Sequence, residues 1–180
     1  MTREEALNSI KANVGNENLI EHMLATEAIM RVLAKFLGED EEEWGLTGLL
    51  HDIDMELTQE DMDTHSKLGA DLAREMGASE TMTHAILCHN PTHGIPLQTK
   101  LDKALFCADP LANLIVALAK DRKLASLKAE TVIKKFKQED FTIETARQQI
   151  SQCSGIGIKF NKFIELGLKA MQSITADPDL

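Results

Sequence analysis

Apolar side chains recur at intervals of three and four residues through most of this 180-residue chain, and strand-like alternation is hard to find. That pattern predicts helices that each bury one face. Leu19, Ile20, Met23, Leu24, Met30, Leu33 and Leu37 form such a stripe along a long helix from about 17 to 37, and Gly38 supplies its stop. Upstream, Thr2 and Glu5 have capping-box spacing, so a short first helix runs to a break at 13–16. The acidic run 39–43 opens a third helix, where negative charge favours the positive end of the dipole, and that helix ends at the adjacent pair His51 and Asp52. A fourth begins at Thr58 or Asp61, with Leu68, Leu72 and Met76 on one side and Gly77 at its close. Ser79 caps a fifth that stops before Pro91, and the segment 91–98, carrying His93, Gly94 and Pro96, reads as a flexible rim. Thr99 with Asp102 starts a sixth that reaches Asp109, where Pro110 either kinks the helix or begins the next stretch to about Lys120. Further helices are expected around 129–137, 143–153 and 158–174.

Composition agrees with this reading. Tyr is absent, aromatic residues are 4% of the chain, and Leu, Ala, Met, Glu and Lys dominate, so the fold class is all-α. The length fits a single domain over 1–180, with a core at about 17–120 and a C-terminal helical extension at about 121–180. A formal net charge of -10 disfavours an electrostatic grip on nucleic-acid polymers. Cys88, Cys107 and Cys153 are odd in number and lack a CxxC pattern, which suits reduced thiols better than a disulfide framework. The first residues lack a signal-peptide pattern and no apolar run reaches membrane-spanning length, so a soluble cytoplasmic protein is expected, with no membrane partner; a homo-oligomer is compatible with the sequence. Lys134, Lys135 and Lys137 read as a solvated face.

The candidate chemistry lies in histidines and carboxylates set inside apolar segments. His51 and Asp52 follow the small, apolar run GLTGLL, His22 sits in the long amphipathic helix, and Asp109 follows ALFCA. Buried carboxylates are costly unless paired or metal-bound. The four together offer imidazole nitrogen and carboxylate oxygen to a divalent ion such as Zn, Mn, Fe, Co or Ni, with no thiolate motif. Helix capping before Pro110 is the alternative role for Asp109.

The order H…HD…D, with the blocks HMLATEAIM, WGLTGLLHDIDME, HSKLGADLARE, AILCHN and KLDKALFCADPLANLI, resembles the HD superfamily of metal-dependent phosphohydrolases, in particular small bacterial HD-domain hydrolases, over about 20–118. The resemblance implies a helical bundle in which His22, His51, Asp52 and Asp109 ligate one ion. His65, in HSKLG, resembles the HxxxG element of two-metal members, with His89 beside it and Asp52 bridging. Those members usually carry a second His after the position of His89; here Asn90 stands there, a weaker ligand. The Lys or Glu that some members place three residues after the Asp is replaced by Met55, leaving Asp54 and Glu56 as the nearest proton donors, and the GYP motif of cyclic-di-GMP enzymes is missing. His84 and His93 are candidate substrate contacts, as is Lys67, with Lys100 or Lys103 as further phosphate partners. The implied function is hydrolysis of a small phosphorylated metabolite or nucleotide by a metal-activated water, with one or two divalent transition ions, or Mg, as cofactor. The rivals are a di-iron oxygenase on the same fold and a non-catalytic nucleotide-binding regulatory module.

Overall fold

A computed structural model of the chain describes residues 1–120, 123–138 and 142–174. The helices are α1 (Arg3–Asn13), α2 (Glu17–Leu37), α3 (Glu41–Leu50), α4 (Met55–Thr58), α5 (Lys67–Glu75), α6 (Glu80–His89), α7 (Lys100–Ala119), α8 (Ala129–Phe136), α9 (Glu144–Ser151) and α10 (Phe160–Ile174). No strand occurs among the described residues, so the chain is all-α. The expected boundary at about 121 and the chain end at 175–180 lie outside the described residues.

The long helices α2 and α7 cross at the centre and carry the core. α2 packs on α3, α7 and α10, while α7 packs on α2, α6 and α9. Met23, Ile29, Met30 and Leu33 of α2 meet Leu105, Leu111 and Ile115 of α7 in one fully buried cluster with Leu49, Leu50, Ile86 and Phe163. Each buried aliphatic side chain contributes roughly 1.5–3 kcal/mol of transfer free energy, which offsets the entropy of ordering the helices that bear the site.

Caps set the helix boundaries. Thr2 and Glu5 form a reciprocal capping box at α1, and Thr99 and Asp102 form another at α7. Asp40 accepts from the Glu42 and Glu43 amides at the start of α3, and Ser79 from Met82 at the start of α6. Gly38 ends α2 at φ 72, where a Cβ is disfavoured. Glu27, on α2, is nearly fully buried and holds both Arg3 of α1 and Arg31 of its own helix, so α1 is tied down by charge as well as by Ala6 and Ile10.

One element settles an open alternative, since Pro110 does not begin a new helix, and one differs from expectation. α7 runs unbroken from Lys100 to Ala119 with Pro110 inside it. A proline there removes one helical hydrogen bond, and burial of Phe106, Ala108, Pro110 and Leu111 on neighbouring elements compensates. The helix expected from Thr58 or Asp61 begins at Lys67, after a short α4 and a series of turns. The cause lies in the site.

Candidate metal centre

The close approach of α2 and α3 places the first two ligand candidates. A Cβ on Gly48 would lie 2.9 Å from the Thr26 carbonyl oxygen and 3.0 Å from the Glu27 backbone, so a larger residue would push the helices apart. Thr26 is one turn beyond His22, and Gly48 is one turn before His51. As a result the two Nε2 atoms lie 3.2 Å apart. His51 is the C-cap residue of α3, and Asp52 follows in the turn. Asp109 reaches in from the middle of α7, His65 from the turn before α5, and His89 from the last position of α6.

Asp52 is the hub. Its Oδ2 lies 3.5 Å from His22 Nε2 and 3.3 Å from His51 Nε2. Its Oδ1 lies 3.6 Å from His65 Nε2 and 3.3 Å from His89 Nε2. Asp109 Oδ1 closes the first side, 3.2 Å from His22 Nε2 and 3.9 Å from His51 Nε2. The rings stand edge to face along the cluster, with centroids 5.1 Å apart for His22 and His51, 5.2 Å for His51 and His89, and 5.1 Å for His65 and His89.

The outward nitrogens decide what the inward ones can do. His51 Nδ1 lies 2.8 Å from the Gly48 carbonyl oxygen, and His89 Nδ1 lies 2.6 Å from that of Ile86. A carbonyl only accepts, so both Nδ1 atoms donate, and in the neutral rings both Nε2 atoms present bare lone pairs. His65 Nδ1 donates to Asp54 Oδ1 at 3.0 Å, with the same consequence. Three imidazole lone pairs and the oxygens of Asp52 and Asp109 therefore face one another in a buried space, and such an arrangement requires cations between them. Bonds of ~2.0–2.2 Å to one ion put neighbouring ligand atoms roughly 3.0–3.5 Å apart, close to the spacings found here. The residues could hold a divalent metal, His22, His51 and Asp109 forming one candidate group and His51, Asp52 and His89 another, with His65 Nε2 on the same oxygen of Asp52 as His89. His22 differs from the rest, because its Nδ1 is buried without a partner among the described residues.

Without a metal, protons serve as the cations. Burial disfavours the charged form of His89, but its hydrogen bond to Asp52 and the charges of Asp52 and Asp109 outweigh that and push its pKa up to about 9. His22 is raised too, burial being overcome by Asp109 and Asp52. Burial alone would raise Asp52, and the imidazoles of His51 and His89 hold it well below the usual carboxylate range. Asp109 is lowered in the same way, chiefly by His22 against the effect of burial.

Other expected site residues are engaged elsewhere. Asp54 is fully buried and accepts from His65 Nδ1, Ser66 N and Gly69 N, so it positions His65 rather than facing open space as a proton donor. A Cβ on Gly69 would lie 2.9 Å from Asp54 Oδ1, which explains the glycine of HSKLG sterically. Glu56 accepts from the Gly15 and Asn16 amides at the break before α2, away from the cluster. Asn90 turns its Oδ1 to Thr92 N and Oγ1 and caps the turn Pro91–His93, so it is not aimed at a metal. His93 Nε2 donates to the His65 carbonyl at 2.7 Å. His84 donates to Asp102 Oδ2 at 3.0 Å, beside Cys88 and apart from the cluster. Burial, with the charge of Asp102, pushes the Cys88 thiol up to about 12, so it presents no thiolate. Lys67 donates to the Asp63 carbonyl and Lys100 to Glu39, while Lys103 lies towards Gly155.

Two residues absent from the expectations support the centre. Asn113 Nδ2 donates to Asp109 Oδ1 at 3.1 Å, and its position four residues further along the same helix is the signal that would have found it. Ser66 adopts φ 69, gives its amide to Asp54 and its hydroxyl to the Leu87 carbonyl, and so fixes His65 against α6. A non-glycine residue in this conformation is strained and persists only where its surroundings impose it.

Comparison with known proteins follows the same outline. The sequence model described as the HD domain matches residues 19–114, more than half of the chain. Ribonuclease Y of Oleidesulfovibrio alaskensis is 31% identical over 98 residues, 54% of this chain and 18% of that protein. Ribonuclease Y of Sulfurovum sp. is 35% identical over 92 residues, 51% of this chain and 18% of that protein. Ribonuclease Y of Salinispora arenicola is 36% identical over 83 residues, 46% of this chain and 14% of that protein. The chain thus spans less than a fifth of the length of these relatives. No solved structure matches the chain.

Proposed function

The chain belongs to the HD domain family, and from that premise we propose that it is a metal-dependent phosphohydrolase acting on a small phosphorylated metabolite or nucleotide. The observation that supports this reading most is Asp52, whose two oxygens each face two imidazole nitrogens at 3.3–3.6 Å. His22, His51, Asp52 and Asp109 would hold one divalent ion, and Asp52, His65 and His89 a second. A divalent ion bound there supplies Lewis-acid charge, which acidifies water by several pKa units and neutralises phosphoryl oxygens.

The protein's own groups perform the remaining tasks. His51, His65 and His89 keep their Nε2 atoms aimed inward because Gly48, Asp54 and Ile86 hold the opposite nitrogens. Asp109, 20% exposed at its side chain, marks the open side, where substrate enters. Its Oδ1 is oriented by Asn113. None of Lys67, Lys100 and His84 contacts the cluster, so the substrate's phosphate charge is met chiefly at the ligand cluster itself.

The names of the relatives supply a second reading, cleavage of RNA, although the chain matches less than a fifth of their length. The net charge of -10 favours the small substrate. The test is metal analysis of protein purified without chelator, followed by a panel of phosphomonoesters, phosphodiesters and short oligoribonucleotides with Mn, Co, Ni and Mg. Turnover of phosphomonoesters or small phosphodiesters with at least one metal is expected. Turnover confined to oligoribonucleotides would favour the second reading, and none on any substrate would leave a binding module.

A further inference from the structure

Apart from the Asp52 cluster, the start of α7 meets α6 through a second group of metal-ligating side chains. His84 and Cys88 are four residues apart and so share one face of α6. Asp102, in the first turn of α7, faces them. His84 Nδ1 lies 3.0 Å from Asp102 Oδ2, and Cys88 Sγ lies 4.0 Å from the same nitrogen. The nitrogen, the sulfur and a carboxylate oxygen all lie within 4.8 Å of one another.

Convergence on one atom decides what the group can do. A relay for nucleophilic catalysis needs thiol and carboxylate on opposite nitrogens of the imidazole, and here both approach Nδ1. The single proton on Nδ1 goes to Asp102, and the thiol turns to the Ala85 carbonyl at 3.6 Å, which leaves only a long contact between sulfur and nitrogen. One ion serves all three. Bonds of ~2.0–2.3 Å to a tetrahedral zinc put its N, O and S ligands roughly 3.3–3.6 Å apart, between the two spacings found here. The surroundings also suit a cation. Asp102 is fully buried, and its carboxylate accepts from Gln98 N at 2.8 Å, Thr99 N at 2.9 Å and Thr99 Oγ1 at 2.7 Å. Such bonds orient a ligating carboxylate and leave its charge in place. Cys88 is 2% exposed, whereas the His84 side chain is 26% exposed and leaves a way in from solvent. One thiolate and one carboxylate balance a divalent charge, so the filled site is neutral and suits a buried position.

We propose that His84, Cys88 and Asp102 bind a zinc ion, with water as the fourth ligand on the exposed side, and that the ion clasps α6 to the first turn of α7. A thiolate selects zinc over Mn or Mg, so this site and the Asp52 cluster, where only nitrogen and oxygen converge, prefer different metals. Binding expels the thiol proton and the proton between His84 and Asp102, so the ion competes with protons and exchanges with solvent rather than staying among the tightly bound metal. The clasp joins the helix that ends in His89 to the helix that carries Asp109. The site is independent of the phosphohydrolase reading.

Cobalt(II) is the probe, because a thiolate ligand gives it an intense sulfur-to-metal charge-transfer absorption that nitrogen and oxygen ligands do not. Titration of the full-length chain with cobalt, in a phosphine reductant, should produce that band, and zinc should abolish it. Cys88→Ala and His84→Ala should each lose the band, whereas Asp52→Ala should keep it. Zinc should also raise the melting temperature of the Asp52→Ala protein by binding the folded state, and adding His84→Ala should remove that rise. His84→Ala, at the partly exposed residue, covers the case in which Cys88→Ala fails to fold. Absence of the band from the unsubstituted protein would overturn the proposal. So would a band that survives His84→Ala or Cys88→Ala, which would place the thiolate at Cys107 or Cys153, and so would a band lost in Asp52→Ala, which would make the sulfur part of the cluster.

Discussion

Asp54 Oδ1 lies 3.0 Å from His65 Nδ1, while the other oxygen of the same carboxylate takes the amides of Ser66 at 2.8 Å and Gly69 at 2.9 Å. The carboxylate thus fixes the tautomer of His65 and the backbone that carries it. Asp54→Asn keeps the shape, but its NH2 group places donors where Asp54 meets only donors. We expect metal affinity on the His65 and His89 side to fall about 10–100-fold, with the His22, His51 and Asp109 side retained. Calorimetric titration with Mn should show one of two binding events weakened. An unchanged isotherm would show that His65 needs no such support.

Asp52 and Asp109 predict different losses although both are carboxylates of one cluster. Asp52 faces all four imidazoles, whereas Asp109 faces only His22 and His51. Asp52→Ala should remove all tightly bound metal and all turnover. Asp109→Ala should leave an ion on the other side and lose activity. Metal content of the purified variants by plasma mass spectrometry measures the difference, and equal loss in the two would contradict a bridging role for Asp52.

The parts of the fold visible in the sequence are those set by local chemistry. α2 and α6 begin and end where the apolar stripe, Gly38, Ser79 and Pro91 place them. The segment 55–66 was not legible, because the Asp54 carboxylate draws in amides 12 and 15 residues away and forces Ser66 into a left-handed conformation. Periodicity carries no trace of such a contact. The same limit applied to the carboxylates after the dyad: Asp54 and Glu56 look equivalent in HDIDME, yet one is consumed by the turn before α5 and the other by the loop before α2. The inward-facing histidines are legible because their spacing resembles a known family.

Metal removal should expose a pH dependence. The pKa of His89 is pushed up to about 9 in the metal-free fold, against ~6.5 for an unfolded chain. A raised pKa contributes stability that is fully present below the unfolded value and is lost as pH rises through the folded one. Chelator-treated protein should therefore lose stability between pH ~6.5 and ~9, on the order of 3 kcal/mol, with His22 acting in the same direction. Saturating Mn or Zn should remove this slope, because the metal takes the place of the protons and releases them on binding. Denaturant melts across that range test it, and a flat profile for the metal-free protein would show that the cluster holds no extra proton.

Gly48 links packing to the metal centre. A methyl group there would meet the Thr26 carbonyl oxygen at 2.9 Å and the Glu27 backbone at 3.0 Å, none of which can move without shifting α2. Gly48→Ala should cost about 1–3 kcal/mol by overpacking, against the gain of about 1 kcal/mol that alanine normally brings to a helix interior. The displacement also reaches His22 and His51, whose Nε2 atoms lie 3.2 Å apart through this helix contact, and the Gly48 carbonyl that orients His51 at 2.8 Å. Metal affinity at the His22, His51 and Asp109 side should therefore fall together with the melting temperature, while Gly38→Ala, at the surface end of α2, should lower the melting temperature through its φ of 72 and leave metal affinity unchanged. Equal metal affinity in the two variants would separate the helix contact from the site.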